Sequence, residues 1–200
     1  MLEKLSTLAQ LLKALQQVPY LASKNLYRVA AHFLEMNTQQ VQQFCAVLLD
    51  AKNKLIQCPD CFCWCEKGQL CIFCSESKRD KKIICVVETW QDILAIERTK
   101  AYTGVYHVLG GVICPLDGIG PEDLTIEQLI KRTEKYAVKE IILATNQTPE
   151  GEATAFFIAR KFKEKSVMVS CLARGLPVGS LLSAMDRVTV YKALSERRLF

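Results

Sequence analysis

Six of the ten cysteines in this 200-residue chain lie within one short stretch, between residues 58 and 74. Four of them form two Cys-x-x-Cys pairs, Cys58 with Cys61 and Cys71 with Cys74, separated by nine residues. Two such pairs can present four thiolates tetrahedrally to one ion, which is how Zn²⁺ prefers to be bound. We therefore predict one structural Zn²⁺ per chain at these cysteines, in preference to disulfides or free thiols.

The remaining two cysteines of the stretch, Cys63 and Cys65, could each replace a neighbour as ligand, but we place them outside the ligand set. A catalytic zinc needs an open coordination position and usually a histidine or carboxylate ligand. Neither histidine of the chain, His32 or His107, is near the stretch in sequence. The pattern thus indicates a closed structural site, whose metal would supply much of the folding free energy of so short a segment.

A second set of candidate residues follows two apolar runs that read as buried strands. Lys82–Glu88 ends in a carboxylate, and Glu140–Thr145 runs into the polar loop Asn146–Glu152. The carboxyl ends of parallel strands meet at one edge of a sheet, where ligands bind. Two glutamates of the loop, Glu150 and Glu152, lie in the first turn of the next predicted helix. The helix macrodipole favours acidic residues there without any functional role.

Basic residues on the N-terminal helices form a third set. Leucines at helical spacing predict a helix from Leu5 to Val18, and further helices are predicted from about Ser23 and about Asn37. Two cations on the second helix, Lys24 and Arg28, are four residues apart. From the residues alone, a solvated basic face is favoured over a nucleic-acid site.

The turn before this second helix resembles a helix-hairpin-helix, whose turn amides and basic residues bind phosphates. That motif normally has glycines in the turn, whereas this chain has Tyr20 and Ala22. Phosphate contact by the backbone is therefore weakened, or the hairpin acts mainly in dimerisation.

Alternating strands and helices after residue 78 predict a mostly parallel sheet covered on both faces. Further strands are expected at 105–109, 166–170 and 188–190, and a capping box at Thr125–Gln128 should open one helix. There is no run of eighteen apolar residues and no secretory signal, so we expect a cytoplasmic protein without a membrane span. The net charge of +5 is concentrated in residues 160–200, which hold nine Lys or Arg and three Asp or Glu.

The strand ending in Glu88, followed later by a strand and a polar loop, resembles a Toprim domain, the metal-binding fold of topoisomerases and primases. Catalytic members carry Asp-x-Asp in that loop and bind Mg²⁺ with it. This chain has Asn146 and Thr148 there, which argues against a Mg²⁺-dependent nuclease.

In the order of its motifs the whole chain resembles the RecR family of bacterial recombination mediators. The similarity rests on the four-cysteine stretch and on five later segments: Tyr106–Gly111, Pro115–Pro121, Ile142–Asn146, Glu150–Thr154 and Gly175–Gly179. It implies a multi-part α+β chain with four regions: a helical hairpin domain (1–53), a four-cysteine zinc finger (54–77), a Toprim domain (78–172) and a C-terminal oligomerisation segment (173–200).

The resemblance further implies a non-enzymatic, nucleoid-associated DNA-repair factor. It would bind single-stranded, gapped or duplex DNA and act with RecO, and possibly RecF, to load RecA on single-stranded DNA. Family members form ring-like homo-oligomers, and their DNA-binding basic residues match Lys24 and Arg28. Their Toprim domain contacts partners, which would place Glu88, Asn146, Glu150 and Glu152 at or near a partner surface. The alternatives are an interaction scaffold with weak DNA contact and, further behind, a Mg²⁺-dependent Toprim nuclease.

Overall fold

A computed structural model of the protein describes residues 6–173 and 175–197. The chain divides into two compact units, one that ends at Leu55 and one that begins at Ile56. The predicted helical position Leu5, Arg174 and the last three residues lie outside the described ranges. No helix of the described ranges is long and apolar enough to cross a bilayer.

The first unit consists of three helices, α1 (Ser6–Gln16), α2 (Ser23–Glu35) and α3 (Thr38–Lys54). Asn37 caps α3 with a reciprocal capping box, in which its Oδ1 accepts from the Gln40 amide at 2.8 Å and Gln40 Oε1 accepts from the Asn37 amide at 3.1 Å. Leu26 and Ala30 are the only fully buried residues of this unit in the described ranges. Much apolar surface of α3 therefore faces solvent, including Phe44, Val47, Leu48 and Leu49.

In the turn between α1 and α2, a tyrosine has a strained backbone conformation. The first helix ends at Gln16, two residues before the predicted Val18. Tyr20 has φ 64°, in the left-handed region that favours glycine, and its side chain is fully exposed. By contrast, Ala22 has φ −58° and ψ 142°, which any residue adopts. Of the two expected glycine positions, only the first thus requires a positive φ.

The second unit begins with the cysteine-rich segment, which has little regular structure. Two three-residue strands pair in a small sheet, β1 (Leu55–Gln57) and β2 (Trp64–Glu66), and one helical turn follows, α4 (Ile72–Ser75). This segment packs on the neighbouring large sheet, where the amide of Val108 donates to the carbonyl of Cys61 at 2.8 Å.

A four-stranded parallel sheet forms the body of the second unit, in the order β4-β3-β5-β6. Its strands are β3 (Asp80–Val87), β4 (Gly104–Val108), β5 (Glu140–Leu143) and β6 (Met168–Cys171), and its helices are α5 (Trp90–Glu97), α6 (Ile126–Lys135) and α7 (Pro149–Phe162). The pleat of β3 sends Cys85 and Val87 into a core shared with α5 and the cysteine segment. Ile84 and Val86 enter a second core, shared with α6 and α7.

Two sequence predictions were wrong in this unit. Residues 188–190 do not form a strand but belong to α8 (Arg187–Ser195), because Asp186 caps that helix and accepts from the amides of Val188 and Thr189. The capping box at Thr125 does not form either. The Thr125 hydroxyl instead donates to the Val108 carbonyl at 2.7 Å and so joins α6 to β4.

Replacing Tyr20 with glycine should stabilise the first unit. A left-handed residue with a side chain costs about 1–2 kcal/mol, and the added chain entropy of glycine costs about 0.5–1 kcal/mol, which leaves a net gain of about 0.5–1 kcal/mol. Slower hydrogen exchange of the α1 and α2 amides would show it. Ala22→Gly is the matched control and should speed exchange, because no strain is relieved at its negative φ. Faster exchange in both variants would contradict the strain at Tyr20.

Candidate functional site

The four predicted cysteines lie together in the structure. The Sγ atoms of Cys58, Cys61, Cys71 and Cys74 are all within 4.8 Å of one another, and all four residues are buried. Zinc–sulfur bonds of about 2.3 Å in a tetrahedron place the sulfurs about 3.8 Å apart, which this cluster can reach with small side-chain shifts. These four residues could therefore hold a metal ion, and the donor set of four thiolates fits the predicted Zn²⁺.

Local turns of the segment bring the two cysteine pairs together. Phe62, with φ 63°, reverses the chain between Cys61 and Cys63, and the Cys58 amide donates to the Cys63 carbonyl at 2.7 Å. Cys71 caps the helical turn α4, and its Sγ accepts from the Cys74 amide at 3.4 Å. The sulfurs of Cys61 and Cys71, one from each pair, are 3.2 Å apart.

The two additional cysteines of the segment are buried but lie outside this group of four. Burial, followed by the neighbouring Cys71, raises the pKa of the Cys63 thiol to about 11. Burial also raises the pKa of Cys65. Within the group of four, the hydrogen bond between Cys61 and Cys71 lowers the pKa of Cys71 and raises that of Cys61, so Cys71 is the first of the two to become a thiolate.

Arg132 is a residue of this centre that sequence reasoning missed. It lies on α6, is only 6% exposed, and its Nη2 is 3.4 Å from Cys74 Sγ. Its Nη1 donates to the main-chain carbonyl of Tyr106. The signal in the sequence is a cation at helical spacing with the apolar residues Ile126 and Leu129, on the face of α6 that enters the core.

His107 lies beside the cysteine segment without joining its ligand group. It is completely buried on β4, its ring packs edge-on against Phe62, and its Nε2 bonds the Thr125 hydroxyl at 2.9 Å. Burial, followed by the charge of Arg132, lowers the pKa of His107 to about 3. The histidine is therefore neutral at physiological pH and structural in character.

At the carboxyl end of the sheet, Glu88 and Asn146 are bonded to each other. Glu88 is only 7% exposed. Its Oε1 accepts from the Asn146 main-chain amide at 2.7 Å, and its Oε2 accepts from Asn146 Nδ2 at 2.6 Å. Gly151 closes over this pair, since a Cβ there would lie 2.8 Å from Glu88 Oε1. An asparagine thus stands at the sequence position where the Toprim resemblance expects the first aspartate of Asp-x-Asp.

The two glutamates of the loop stand apart from that pair. Thr148 caps α7, accepting from the Gly151 amide at 3.1 Å, so that Glu150 and Glu152 fall in the first turn of the helix. Both are half-buried, and Glu152 is paired with Lys192 of α8. Their position suits the helix macrodipole. Of the four predicted partner-contact residues, Asn146 is the exposed one.

The predicted DNA-binding residues lie on the helical unit. Lys24 and Arg28 are both exposed on α2, one turn apart, while Leu26 and Ala30 of the same helix are buried. Two adjacent cations on the solvent side of a helix can contact successive phosphates of a nucleic-acid backbone.

His107 should make the stability of the protein depend on pH. Between pH 6.5 and about 3 the unfolded chain binds a proton at this residue and the folded chain does not, so stability is lost as pH falls through that window. The slope is at most about 1.4 kcal/mol per pH unit. Urea unfolding of wild type and His107→Gln at pH 7, 6 and 5 should show a shallower dependence in the variant. The exposed His32→Gln variant is the control. Parallel curves for wild type and His107→Gln would contradict a neutral buried histidine.

Asn146→Asp should turn the bonded pair at the sheet edge into a repulsive one. Loss of a charged hydrogen bond and the new like charge together should cost about 2–4 kcal/mol at pH 7. Millimolar Mg²⁺ should restore part of this, because two facing carboxylates are good ligands for it. Urea unfolding with and without Mg²⁺ measures both effects. Asn146→Leu is the control, which loses the side-chain hydrogen bond to Glu88, keeps the main-chain one and should not respond to Mg²⁺. Equal losses of unfolding free energy in the two variants, with no response to Mg²⁺ in either, would contradict this prediction.

Comparison with known protein families identifies the sheet. A family model described as Toprim domain matches residues 82–173. The matched segment begins within β3 and ends two residues after β6, so it contains the four parallel strands with α5, α6 and α7. The predicted fold class is therefore confirmed: the chain combines helices, a small cysteine-cluster module and a Toprim-like parallel sheet, a domain that indicates a role in DNA metabolism.

Proposed function

We propose that this protein is a DNA-binding recombination mediator of the RecR type, without enzymatic activity of its own. The observation that carries the proposal is that a Toprim domain directly follows a buried four-cysteine cluster within one compact unit. The helical hairpin with its basic face, which precedes the cluster, completes the order of modules found in that family.

The bonding of Glu88 supports a non-catalytic role for the Toprim domain. Both carboxylate oxygens accept hydrogen bonds from Asn146, so the carboxylate is already satisfied. Phosphoryl transfer of the Toprim type needs a metal ion bound by several carboxylates, which neutralises the developing charge. At this edge the neighbouring loop offers Asn146 and Thr148 instead of two aspartates.

DNA binding by the helical hairpin is supported by the exposure of Lys24 and Arg28. The basic excess in residues 160–200 offers a second source of attraction for phosphates. Tyr20 favours the opposite conclusion, because a large side chain stands where a helix-hairpin-helix turn has a glycine that allows close approach to the backbone. That single feature favours the alternative function of an interaction scaffold with little DNA contact.

The exposed apolar residues support self-association and partner binding. In the first unit several lie on α2 and α3, and near the C-terminus they include Val178, Leu181, Leu182, Val188, Tyr191 and Leu194. Exposed apolar surface of this extent is typical of interaction sites. We propose a homo-oligomeric ring that acts with RecO, and possibly RecF, to load RecA on single-stranded DNA in the cytoplasm, at the nucleoid. Asn146 and its loop are the proposed partner contact on the Toprim side.

The Lys24→Ala/Arg28→Ala variant tests the hairpin as DNA-binding surface. Each lost phosphate contact lowers the slope of log K against log salt by about 0.9 on duplex DNA and about 0.7 on single strands. The magnitude of the slope should therefore fall by about 1.8 on duplex DNA and by about 1.4 on single strands in the double variant. Fluorescence anisotropy at several salt concentrations measures it. The matched control is Lys52→Ala, an exposed lysine in the last turn of α3, which should leave the slope unchanged.

An unchanged slope in the double variant would remove the hairpin from the DNA interface. Absence of DNA binding at low salt, with RecO binding intact, would select the scaffold. Mg²⁺-dependent nicking that is lost in Glu88→Gln would contradict the non-enzymatic function.

A further inference from the structure

Arg132 lies at the metal centre although it comes from the Toprim sheet's helix α6, 58 residues beyond Cys74. Its guanidinium is buried and reaches both Cys74 Sγ, at 3.4 Å, and the carbonyl of Tyr106 on β4. We propose that Arg132 is the counter-charge of the metal centre: it hydrogen-bonds the Cys74 thiolate and thereby ties metal occupancy to the edge of the Toprim sheet.

The charge of the centre calls for such a partner. Four thiolates around a divalent cation carry a net charge of two minus, and all four cysteines here are buried. A buried net charge is costly unless an opposite charge and hydrogen bonds accompany it. Hydrogen bonds to ligand atoms, donated by surrounding residues, hold those ligands in place and tune the metal they bind.

Two other cations near the centre are engaged elsewhere, and a third, Lys81, lines one cavity with Cys74 and Arg132 but is exposed. Arg79 lies over the rings of Phe73 and Tyr106 but donates to Glu76 and Glu97, each at 2.8 Å. Lys135 is bonded to Asp60 at 3.0 Å. Within the described ranges, Arg132 is the only cationic side chain that donates a hydrogen bond to a sulfur.

Arg132 in turn depends on the thiolate. Its Nη1 bonds a neutral carbonyl, and its Nε has no hydrogen-bond partner within the described ranges. The charge of Asp60 also acts on the buried cation, but Cys74 is the ionisable group to which Arg132 is hydrogen-bonded. The cation would therefore be less well compensated if Cys74 carried no charge. Coupling between two interactions is reciprocal. If Arg132 strengthens metal binding by some factor, a bound metal strengthens the contacts of Arg132 with the cysteine segment by the same factor.

Two neighbours on α6 hold Arg132 in this position. Lys135 and Tyr136 lie three and four residues further on, on the same side of the helix. Both bond Asp60, which stands between the first two cysteines, at 3.0 Å and 2.5 Å. One turn of α6 is therefore bonded to the cysteine segment at Asp60 and at Cys74, which keeps the helix that carries Arg132 against the segment.

The test compares Arg132→Met, Arg132→Lys and Arg79→Met in the full chain. Zinc affinity is measured by competition with a chromophoric chelator, and the sulfur-to-metal charge-transfer band is recorded after Co²⁺ substitution. Arg132→Met should bind Zn²⁺ about 10–100-fold more weakly. Its Co²⁺ band should move to longer wavelength, because a thiolate without the hydrogen bond gives up its electrons more easily. Arg132→Lys should lose less zinc affinity than Arg132→Met, because lysine keeps the positive charge. Some loss should remain, because one ammonium group cannot bond both Cys74 Sγ and the Tyr106 carbonyl.

Arg79→Met is the matched control. It removes a cation of similar burial from the same core, so it should lower fold stability while zinc affinity and the Co²⁺ band stay as in wild type. A folded Arg132→Met with wild-type affinity and an unchanged band would overturn the proposal. If that variant does not fold, an unchanged band and affinity in Arg132→Lys would overturn it. Failure of the wild type to bind Zn²⁺ or Co²⁺ would contradict the metal centre itself.

Discussion

The convergence of four buried sulfurs on one point is the constraint on which the second unit depends. A segment with two three-residue strands and one helical turn has little apolar surface of its own, so a metal ion held by the four sulfurs could supply much of its folding free energy. Once fixed, the segment covers the edge strand β4, with Cys61 accepting from Val108. The same packing buries His107 without charge and presents Cys74 to Arg132. The cysteine cluster and the sheet edge thus form one structure.

The carboxyl end of the sheet shows a different use of a familiar site. Glu88 has the position from which Toprim enzymes bind a metal ion, but both of its oxygens are held by Asn146. The bond fixes the start of the 146–152 loop, and Gly151 lets the loop close over the carboxylate. This bonding supports the non-catalytic role proposed for the sheet edge.

Elements with a strong local pattern could be predicted from the sequence. The apolar run Lys82–Glu88 predicted strand β3 to within two residues at each end. The helix predicted from about Asn37 begins directly after that residue, which caps it. The spacing of the cysteine pairs was sufficient to predict which four cysteines lie together in the structure. The strand predicted from β-branched residues at 188–190 was wrong, because Asp186 caps a helix there and its hydrogen bonds stabilise that helix.

Tertiary partners could not be predicted in this way. Arg132 is far from Cys74 in sequence, and only the packing of α6 against the cysteine segment reveals their contact. The pairing of Glu88 with the Asn146 amide likewise follows from the register of β3 and β5, although their proximity was expected. Tyr20 shows the same limit within a turn, because the residue type gave no sign that the backbone there is left-handed.

The most direct test of the mediator function is the rate of RecA filament assembly on single-stranded DNA coated by its binding protein, measured with RecO in the presence and absence of this protein. We predict faster assembly when the zinc-loaded protein is added, without any DNA cleavage. Assembly at the same rate with and without the protein, under conditions where RecO is active, would contradict the mediator function.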